Sequence, residues 1–132
     1  MAVLALTLRG RRRAESLMVD RCTIRARSTY GAMDPDTGVK TETLGAVVYT
    51  GKCKVQTYEA QASTPASGQH VWTVQRESIH LPATVQVSVD CMVTITESAL
   101  DAHLVGRRYR VAGFLHKSMA TANRIAVDEV TE

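Results

Sequence analysis

The sequence is poor in aromatic residues. Its 132 residues include one Trp, one Phe and four Tyr, and none of these lies within residues 1–27, where the arginines are concentrated. Proteins that bind single-stranded nucleic acids stack the bases on aromatic side chains beside a basic groove. The scarcity of aromatic residues therefore disfavours a specific single-strand-binding protein.

Cysteine is also scarce, and its spacing excludes two classes of site. Cys22, Cys53 and Cys91 are far apart and form no CxxC pair, so the sequence predicts neither a disulfide framework nor a zinc motif. Each cysteine lies in an apolar alternating run, where a free cysteine behaves as a small buried hydrophobe. We therefore expect a reduced protein that is made inside a cell.

Motifs for catalysis and for cofactor binding are absent as well. There is no GxSxG elbow, no glycine-rich phosphate loop and no dinucleotide-binding fingerprint. No HExxH motif or Cys/His cluster with metal-ligand spacing includes any of the four histidines, which are His70, His80, His103 and His116. We expect no catalytic residue, no metal and no cofactor, and hence a protein that is not an enzyme.

No stretch is long and apolar enough for a membrane span, which needs about 18 such residues. Residues 1–8 are apolar, but no basic residue precedes them and arginines at 9–13 replace a cleavage site, so we expect no signal peptide. The apolar fraction of 45% and the charged fraction of 22% are typical of a soluble globular protein. The length suits a single domain over residues 1–132.

The chain is instead rich in arginine at its start. Residues 1–27 contain seven Arg and two carboxylates, whereas the remainder contains nine basic and eleven acidic residues. This asymmetry suits either a solvated surface or a contact with duplex DNA or with an acidic face of another protein. The candidate contact residues are Arg9, Arg11, Arg12 and Arg13.

Hydrophobic periodicity predicts a helix over residues 3–18, within an N-terminal segment 1–19. The apolar positions recur at spacings of three and four and share one stripe: Val3, Leu6, Gly10, Ala14, Leu17 and Met18. Leu4, Leu6 and Leu8 also alternate with period two, so an extended start is the alternative. Asp20 is the predicted boundary of the helical segment.

From Arg21 the period changes to two, which predicts seven or eight short strands. They are expected at residues 21–27, 46–49, from 52, 70–81, 85–89, 91–95, 109–115 and from 125. Residues 33–38 form a turn sequence, and residues 97–104 suit a polar turn with one helical turn. Since helices and strands do not alternate, residues 20–132 should form a mainly β fold, a small antiparallel β-barrel or sandwich.

Two features interrupt these strands. The apolar residues change parity between Val74 and Ile79, which predicts a β-bulge between Gln75 and Ser78. Residues 57–69 have no hydrophobic period and contain Ser, Thr, Pro and Gly, which predicts a long loop. Loops of this length in a compact domain usually have a function of their own.

Three stretches resemble the head-closure family of actinobacterial tailed phages, whose members are head-to-tail stopper or connector proteins. They are residues 8–25, residues 51–61 and a C-terminal block in which Leu-Val-Gly-Arg-Arg-Tyr-Arg-Val at 104–111 precedes Thr-Ala-Asn-Arg-Ile-Ala-Val-Asp-Glu at 121–129. One departure is that Val89 precedes Asp90, where such proteins often have a Gly-Asp turn.

The resemblance implies a structural virion protein at the phage neck, made in the cytoplasm of the bacterial host. It would be a β-barrel subunit of a homo-oligomeric ring that retains packaged DNA and docks the tail. The implied partners are further copies of the chain, the phage adaptor or connector, and the tail-terminator or tail-tube proteins. Duplex DNA would pass close by without specific binding, and no membrane would be involved.

By the same analogy, the loop at residues 57–69 is either a channel plug or a docking arm. Its candidate contact residues are Tyr58, Glu59, Gln61, Ser63, Thr64, Pro65, Ser67 and Gly68. Two alternatives remain: a tail-terminator or adaptor subunit of the same neck, and a small nucleic-acid-binding β-barrel.

Overall fold

A computed structural model describes residues 2–63, 72–116 and 118–130, and shows a mainly β protein with one N-terminal helix. Its elements are α1 (Ala2–Ser16), β1 (Asp20–Arg25), β2 (Thr29–Met33), β3 (Lys40–Thr43), β4 (Val47–Ser63), β5 (Trp72–Pro82), β6 (Met92–Ser98), a 3₁₀ turn (Ala102–Leu104), β7 (Arg108–Phe114) and β8 (Ala122–Glu129). The predicted fold class is confirmed.

Six antiparallel strands form a closed barrel in the order β1-β4-β5-β8-β7-β6. The first strand closes it, because β1 pairs with β4 on one side and with β6 on the other; Cys22, for example, lies between Gly51 and Ile95. Strands β2 and β3 form a separate hairpin outside the barrel. Closure leaves no free edge around the barrel itself.

Alternate residues of the barrel strands fill its interior. The largest fully buried side chains are Tyr109, Ile24, Ile79, Leu81, Ile95, Ile125, Val93, Val111, Cys22 and Cys53. Full burial stabilises the fold by roughly 1.5–3 kcal/mol for each large aliphatic side chain. The three cysteines are free and buried, as predicted. A hydrogen bond with Cys22, together with burial, raises the pKa of the Cys53 thiol, which keeps this thiol protonated and unreactive.

Helix α1 crosses the outside of the barrel, so the predicted helix is confirmed and the extended alternative is wrong. Its backbone comes close to Thr121, the residue before β8, at Gly10, where a Cβ would lie 2.7 Å from Thr121 Cγ2. Arg11 Nε donates a hydrogen bond to the Ala120 carbonyl oxygen (3.2 Å). Nevertheless, no residue of α1 is buried. The predicted boundary at Asp20 is confirmed as the start of β1.

One uninterrupted strand, β4, replaces the two strands predicted on either side of Thr50 and Gly51. Gly51 is a sheet residue paired with Cys22 and not part of a turn. A Cβ at position 51 would lie 2.6 Å from Tyr49 Oη, which donates a hydrogen bond to the Lys52 carbonyl oxygen (2.8 Å). The glycine is therefore needed by the neighbouring tyrosine ring and does not mark a chain reversal.

The loop prediction for residues 57–69 is wrong over residues 57–63, which continue β4 and pair with β5 from Thr57↔Glu77 to Ser63↔Trp72. Residues 64–69 lie outside the described ranges. The bulge predicted between Gln75 and Ser78 is also wrong, because the pairing there is regular; the register shifts instead between Gln61 and Ser63. Both errors have one cause, which is that β4 and β5 continue to pair beyond the stretches that β1 and β8 accompany.

The valines at positions 85, 87 and 89 do not form the predicted strand, because residues 83–91 consist of turns and irregular chain. Val85 and Val87 pack against the barrel core as partly buried residues. Asp90 adopts a positive φ of 72°, and the Cys91 N–H donates to the Ser88 carbonyl oxygen (3.3 Å). The tight turn therefore forms without glycine, since aspartate tolerates the left-handed region.

The turn predicted at residues 33–38 joins β2 to β3. The Asp36 N–H donates to Asp34 Oδ1 (2.9 Å), and Gly38 has a φ of +72°. Residues 102–104 form the predicted helical turn, and β7 and β8 follow close to their predicted positions. Among the helices of the described residues, none has the length and apolar character required to cross a membrane.

Candidate assembly surfaces

A two-stranded arm extends beyond the barrel. It consists of residues 58–63 of β4 and 72–76 of β5, which pair with each other and with no other strand of the described residues: β1 accompanies β4 only as far as Cys53, and β8 accompanies β5 only from Glu77. Six residues at about 3.4 Å each span roughly 17 Å from the first Cα to the last. Isolated two-stranded hairpins are marginally stable in water. The arm therefore suits a contact with another molecule that supports it.

The structure places half of the predicted loop residues in this arm. Tyr58 pairs with Arg76, Glu59 with Gln75 and Gln61 with Thr73, and Ser63 is the last residue of β4. The other four candidates, Thr64, Pro65, Ser67 and Gly68, lie outside the described residues. An arm with two unpaired strand edges can accept a further strand from a neighbour, a mode of contact that a loop does not offer.

The four candidate arginines do not act as one set. Arg9, Arg12 and Arg13 are exposed, and within the described part of the chain none of them pairs with a carboxylate. Arg11 is half-buried, and its Nε–H is used by the Ala120 carbonyl oxygen. Arg11 therefore holds the helix to the barrel, whereas the other three are available to a partner.

Two grooves flank α1, and no carboxylate from the described residues lines either of them. The first has a volume of about 280 Å³ and is lined by Arg13, Lys54, His80 and Arg124, among others. The second, of about 420 Å³, is lined by Arg11, His116 and Arg124 together with apolar residues. Burial, followed by the charges of Arg124 and Lys54, lowers the pKa of His80 to about 4. The side of the barrel that carries α1 therefore has a positive potential suited to an acidic partner.

Sequence reasoning missed two apolar surfaces at opposite ends of α1. The helix tip (Val3, Leu4, Leu6 and Leu8) is exposed on the first two turns of the helix. The end pocket, about 330 Å³, lies beyond the last turn and is lined mainly by Leu17, Val19, Val55, Leu100 and Leu104, with Asp20 and Asp101 among its polar residues. The available signal for this pocket was Leu100, a large apolar residue in a polar turn sequence.

Among the described residues, an ion pair joins the β2–β3 hairpin to the barrel. Arg108 Nη2 of β7 lies 3.0 Å from Glu42 Oε1 of β3, and both side chains are about three-quarters covered. A hydrogen bond from Ser28 and another from Arg108 lower the pKa of Glu42. All five residues of β2 are exposed, so the hairpin adds surface to the molecule rather than core.

No three side chains of His, Cys, Asp or Glu converge on a position suited to a metal ion within residues 2–63, 72–116 and 118–130. The notable surfaces are thus the arm, the positive side of α1, the helix tip and the end pocket. All are surfaces suited to association.

The sequence matches a family of unknown function, DUF6093, over residues 10–128. The match covers about nine-tenths of the chain. The chain belongs to the DUF6093 family. The region shared with this family begins at Gly10, which contacts Thr121, and includes all six barrel strands almost to the end of β8. No curated protein and no solved structure matches the chain.

Proposed function

We propose that this DUF6093 chain is a structural, non-enzymatic subunit of a tailed-phage neck, namely a head-closure protein that forms a ring between the adaptor and the tail. The ring would retain the packaged DNA and dock the tail. The observation that carries the proposal is the arm. This two-stranded extension of roughly 17 Å pairs with no further strand of the described chain, so it is suited to reach a channel or a neighbouring ring.

Surface properties of the barrel support the assembly part of the proposal. The cluster of exposed apolar residues on α1 is unusual for a subunit that remains alone, and the exposed arginines beside it are available to an acidic partner. Ring contacts are heterologous, so the two faces that meet differ from each other. A barrel with differing apolar, basic and strand-edge surfaces offers such faces.

The proposed neck location rests on the resemblance of residues 8–25, 51–61 and the C-terminal block to head-closure proteins. The same surfaces suit a tail-terminator or adaptor subunit of the same neck. Crosslinking in the virion separates the three: contact with the portal favours an adaptor, and contact with the tail tube alone favours a terminator.

A nucleic-acid-binding barrel is the second candidate, and the two grooves without carboxylates favour it. Its signature would be affinity of the purified monomer for duplex DNA that falls steeply with salt, because each phosphate contact releases condensed counterions. Absence of such binding would leave the neck subunit as the function that fits these surfaces.

Excision of the arm tests the proposed function directly. Residues 58–76 are replaced by Asn-Gly, a sequence suited to a two-residue hairpin turn, which joins the paired residues Thr57 and Glu77. In a phage carrying this variant we expect heads that lose DNA or fail to join tails, visible by electron microscopy as empty or tailless particles.

The control shortens the other hairpin in the same way. Residues 34–39 are replaced by Asn-Gly between Met33 and Lys40, which also pair. This variant should give tailed, DNA-filled virions if the arm has the specific role. Normal virions from the phage with the excised arm would refute the proposed role, as would normal virions after removal of the whole gene.

A further inference from the structure

The helix tip and the end pocket are exposed apolar surfaces without a partner in the described chain. Val3, Leu4 and Leu6 have 60%, 59% and 60% of their surface exposed, and Leu100 at the mouth of the end pocket has 85%. Single exposed apolar residues are ordinary, but clusters of them on a soluble protein mark interaction sites.

The two surfaces cannot contact each other within one chain. Val3 and Leu17 belong to the same helical segment, fourteen residues apart, and a helix rises about 1.5 Å per residue, so roughly 21 Å of straight helix separates them. The tip of one molecule can therefore fill only the pocket of another molecule. Because the two ends of α1 differ, such contacts run head to tail.

The charges beside the two surfaces are complementary. Arg9 and Arg12 follow the helix tip, and neither pairs with a carboxylate among the described residues. Asp20 and Asp101 line the end pocket together with Lys54. Asp20 accepts a hydrogen bond from Ser98 Oγ (2.6 Å) and Asp101 from the His103 N–H (2.9 Å), but neither carboxylate has a cation partner in the described chain.

We propose that the tip of α1 docks into the end pocket of the next copy of this chain, and that this heterologous contact, repeated, closes the ring. The inference rests on the proposed function and names the surfaces by which the ring forms. Apolar side chains of the tip occupy the pocket, while its arginines face the carboxylates at the pocket. The contact surface between each pair of subunits is small. The contact that closes the ring forms within one assembly, at a high effective concentration, and this strengthens the ring as a whole.

Two single substitutions test the contact from its two sides. Leu6→Glu brings a negative charge into an apolar contact near Asp101, and Leu100→Arg adds a positive charge to the pocket, which faces a basic tip. Each variant alone should be monomeric by sedimentation velocity and native mass spectrometry, at concentrations where the wild type forms rings.

Mixing the two variants gives the decisive observation. The Leu6→Glu chain keeps an intact pocket and the Leu100→Arg chain keeps an intact tip, so one good contact remains for the pair. We expect association that neither variant shows alone, with at least a one-to-one heterodimer, since the substituted tip and the substituted pocket carry opposite charges. A symmetric tip-to-tip contact would instead leave Leu100→Arg assembling as the wild type does, which overturns the proposal.

Val39 supplies the matched control, because it is an exposed apolar residue (64%) in the β2–β3 hairpin, away from both surfaces. Val39→Glu and Val39→Arg should assemble as the wild type does, and circular dichroism should show all variants folded. The contact is refuted if the wild type stays monomeric at every concentration, if the mixture stays monomeric, or if both variants form normal rings.

The outcomes also separate this contact from the proposed function. Normal rings from both variants, in a phage that still needs the protein for tail joining, would refute the contact alone. A heterodimer from the mixture, in a phage that forms tailed, DNA-filled virions without the gene, would refute the neck function alone.

Discussion

Gly10 and Thr121 determine how closely α1 approaches the barrel. Replacement of glycine by alanine within a helix normally stabilises it by about 1 kcal/mol. Here the new Cβ would lie 2.7 Å from Thr121 Cγ2, so the helix or the threonine must move. Gly10→Ala should therefore leave the free energy of unfolding unchanged or lower it, as measured by urea denaturation.

Thr121→Ser is the second substitution of a double-mutant cycle, because serine lacks the Cγ2 methyl group. In this background Gly10→Ala should recover a stabilisation of roughly 0.5–1 kcal/mol. Strictly additive effects of the two substitutions would show that the close approach does not limit this position.

His80 should make the stability of the protein depend on pH. Burial, with Arg124 and Lys54, lowers its pKa from 6.5 to about 4 in the folded state. Between pH 6.5 and pH 4 the unfolded chain therefore binds a proton that the folded chain does not, so protonation of His80 reduces stability as pH falls through this window. Since His80 is only half-buried, we expect a contribution of about 1–2 kcal/mol.

His80→Gln tests this effect. The variant should lose less stability than the wild type between pH 6.5 and pH 4, as followed by urea unfolding midpoints at several pH values. His103→Gln, at an exposed histidine, is the control and should follow the wild-type curve. Parallel curves for His80→Gln and the wild type would contradict the prediction.

At the scale of the elements, the barrel strands were predictable because each has one wet and one dry face. Cys22 and Ile24 of β1 are buried with Thr23 between them, and Tyr109 and Val111 repeat the pattern in β7. Alternation in the sequence records this geometry directly. The helix was predictable for the analogous reason, although of its predicted stripe Val3 and Leu6 are exposed, whereas Gly10 lies against the barrel and Met18 is buried.

Elements that have no side facing the core show no such alternation in the sequence. All residues of β2 are exposed, and the arm has no third strand beneath it, so neither shows a period that identifies a strand. Val85 and Val87 give the opposite error, because they pack onto the core from an irregular segment. The helix tip and the end pocket were missed because the sequence does not reveal which apolar residues stay exposed once the chain has folded.

The arm itself should be dispensable for folding. Core residues of the barrel lie on β4 up to Cys53 and on β5 from Ile79, whereas the arm begins at residue 58 and ends at residue 76. Excision of residues 58–76 should therefore change the free energy of unfolding by less than about 1 kcal/mol, since surface changes away from packed residues cost little. A loss of several kcal/mol in urea denaturation would show that the arm supports the barrel.

At the scale of the whole molecule, closure of the barrel leaves few surfaces that can bind another molecule. The six barrel strands pair with one another around the core. Among the described residues, unpaired strand edges occur in the arm, in the adjoining residues 54–57 of β4 and in the β2–β3 hairpin. Among the described residues, most ion pairs involve β3, β7 and β8. The arginines of α1 form no ion pair with a carboxylate in this part of the chain. The molecule thus consists of a stable barrel with contact elements attached to it.

If these contact elements bind further copies of the chain, stability must depend on concentration. Association that requires the folded state stabilises it by mass action, and each tenfold rise in protomer concentration above the dissociation constant adds up to about 1.4 kcal/mol for one contact per subunit. Urea unfolding midpoints of the wild type should therefore rise with concentration, whereas those of Leu6→Glu should stay constant. The contradicting result is a wild-type midpoint that does not change with concentration although sedimentation shows rings. It would mean that unfolded chains associate as well as folded ones. A contact between a formed helix and a formed pocket does not allow this.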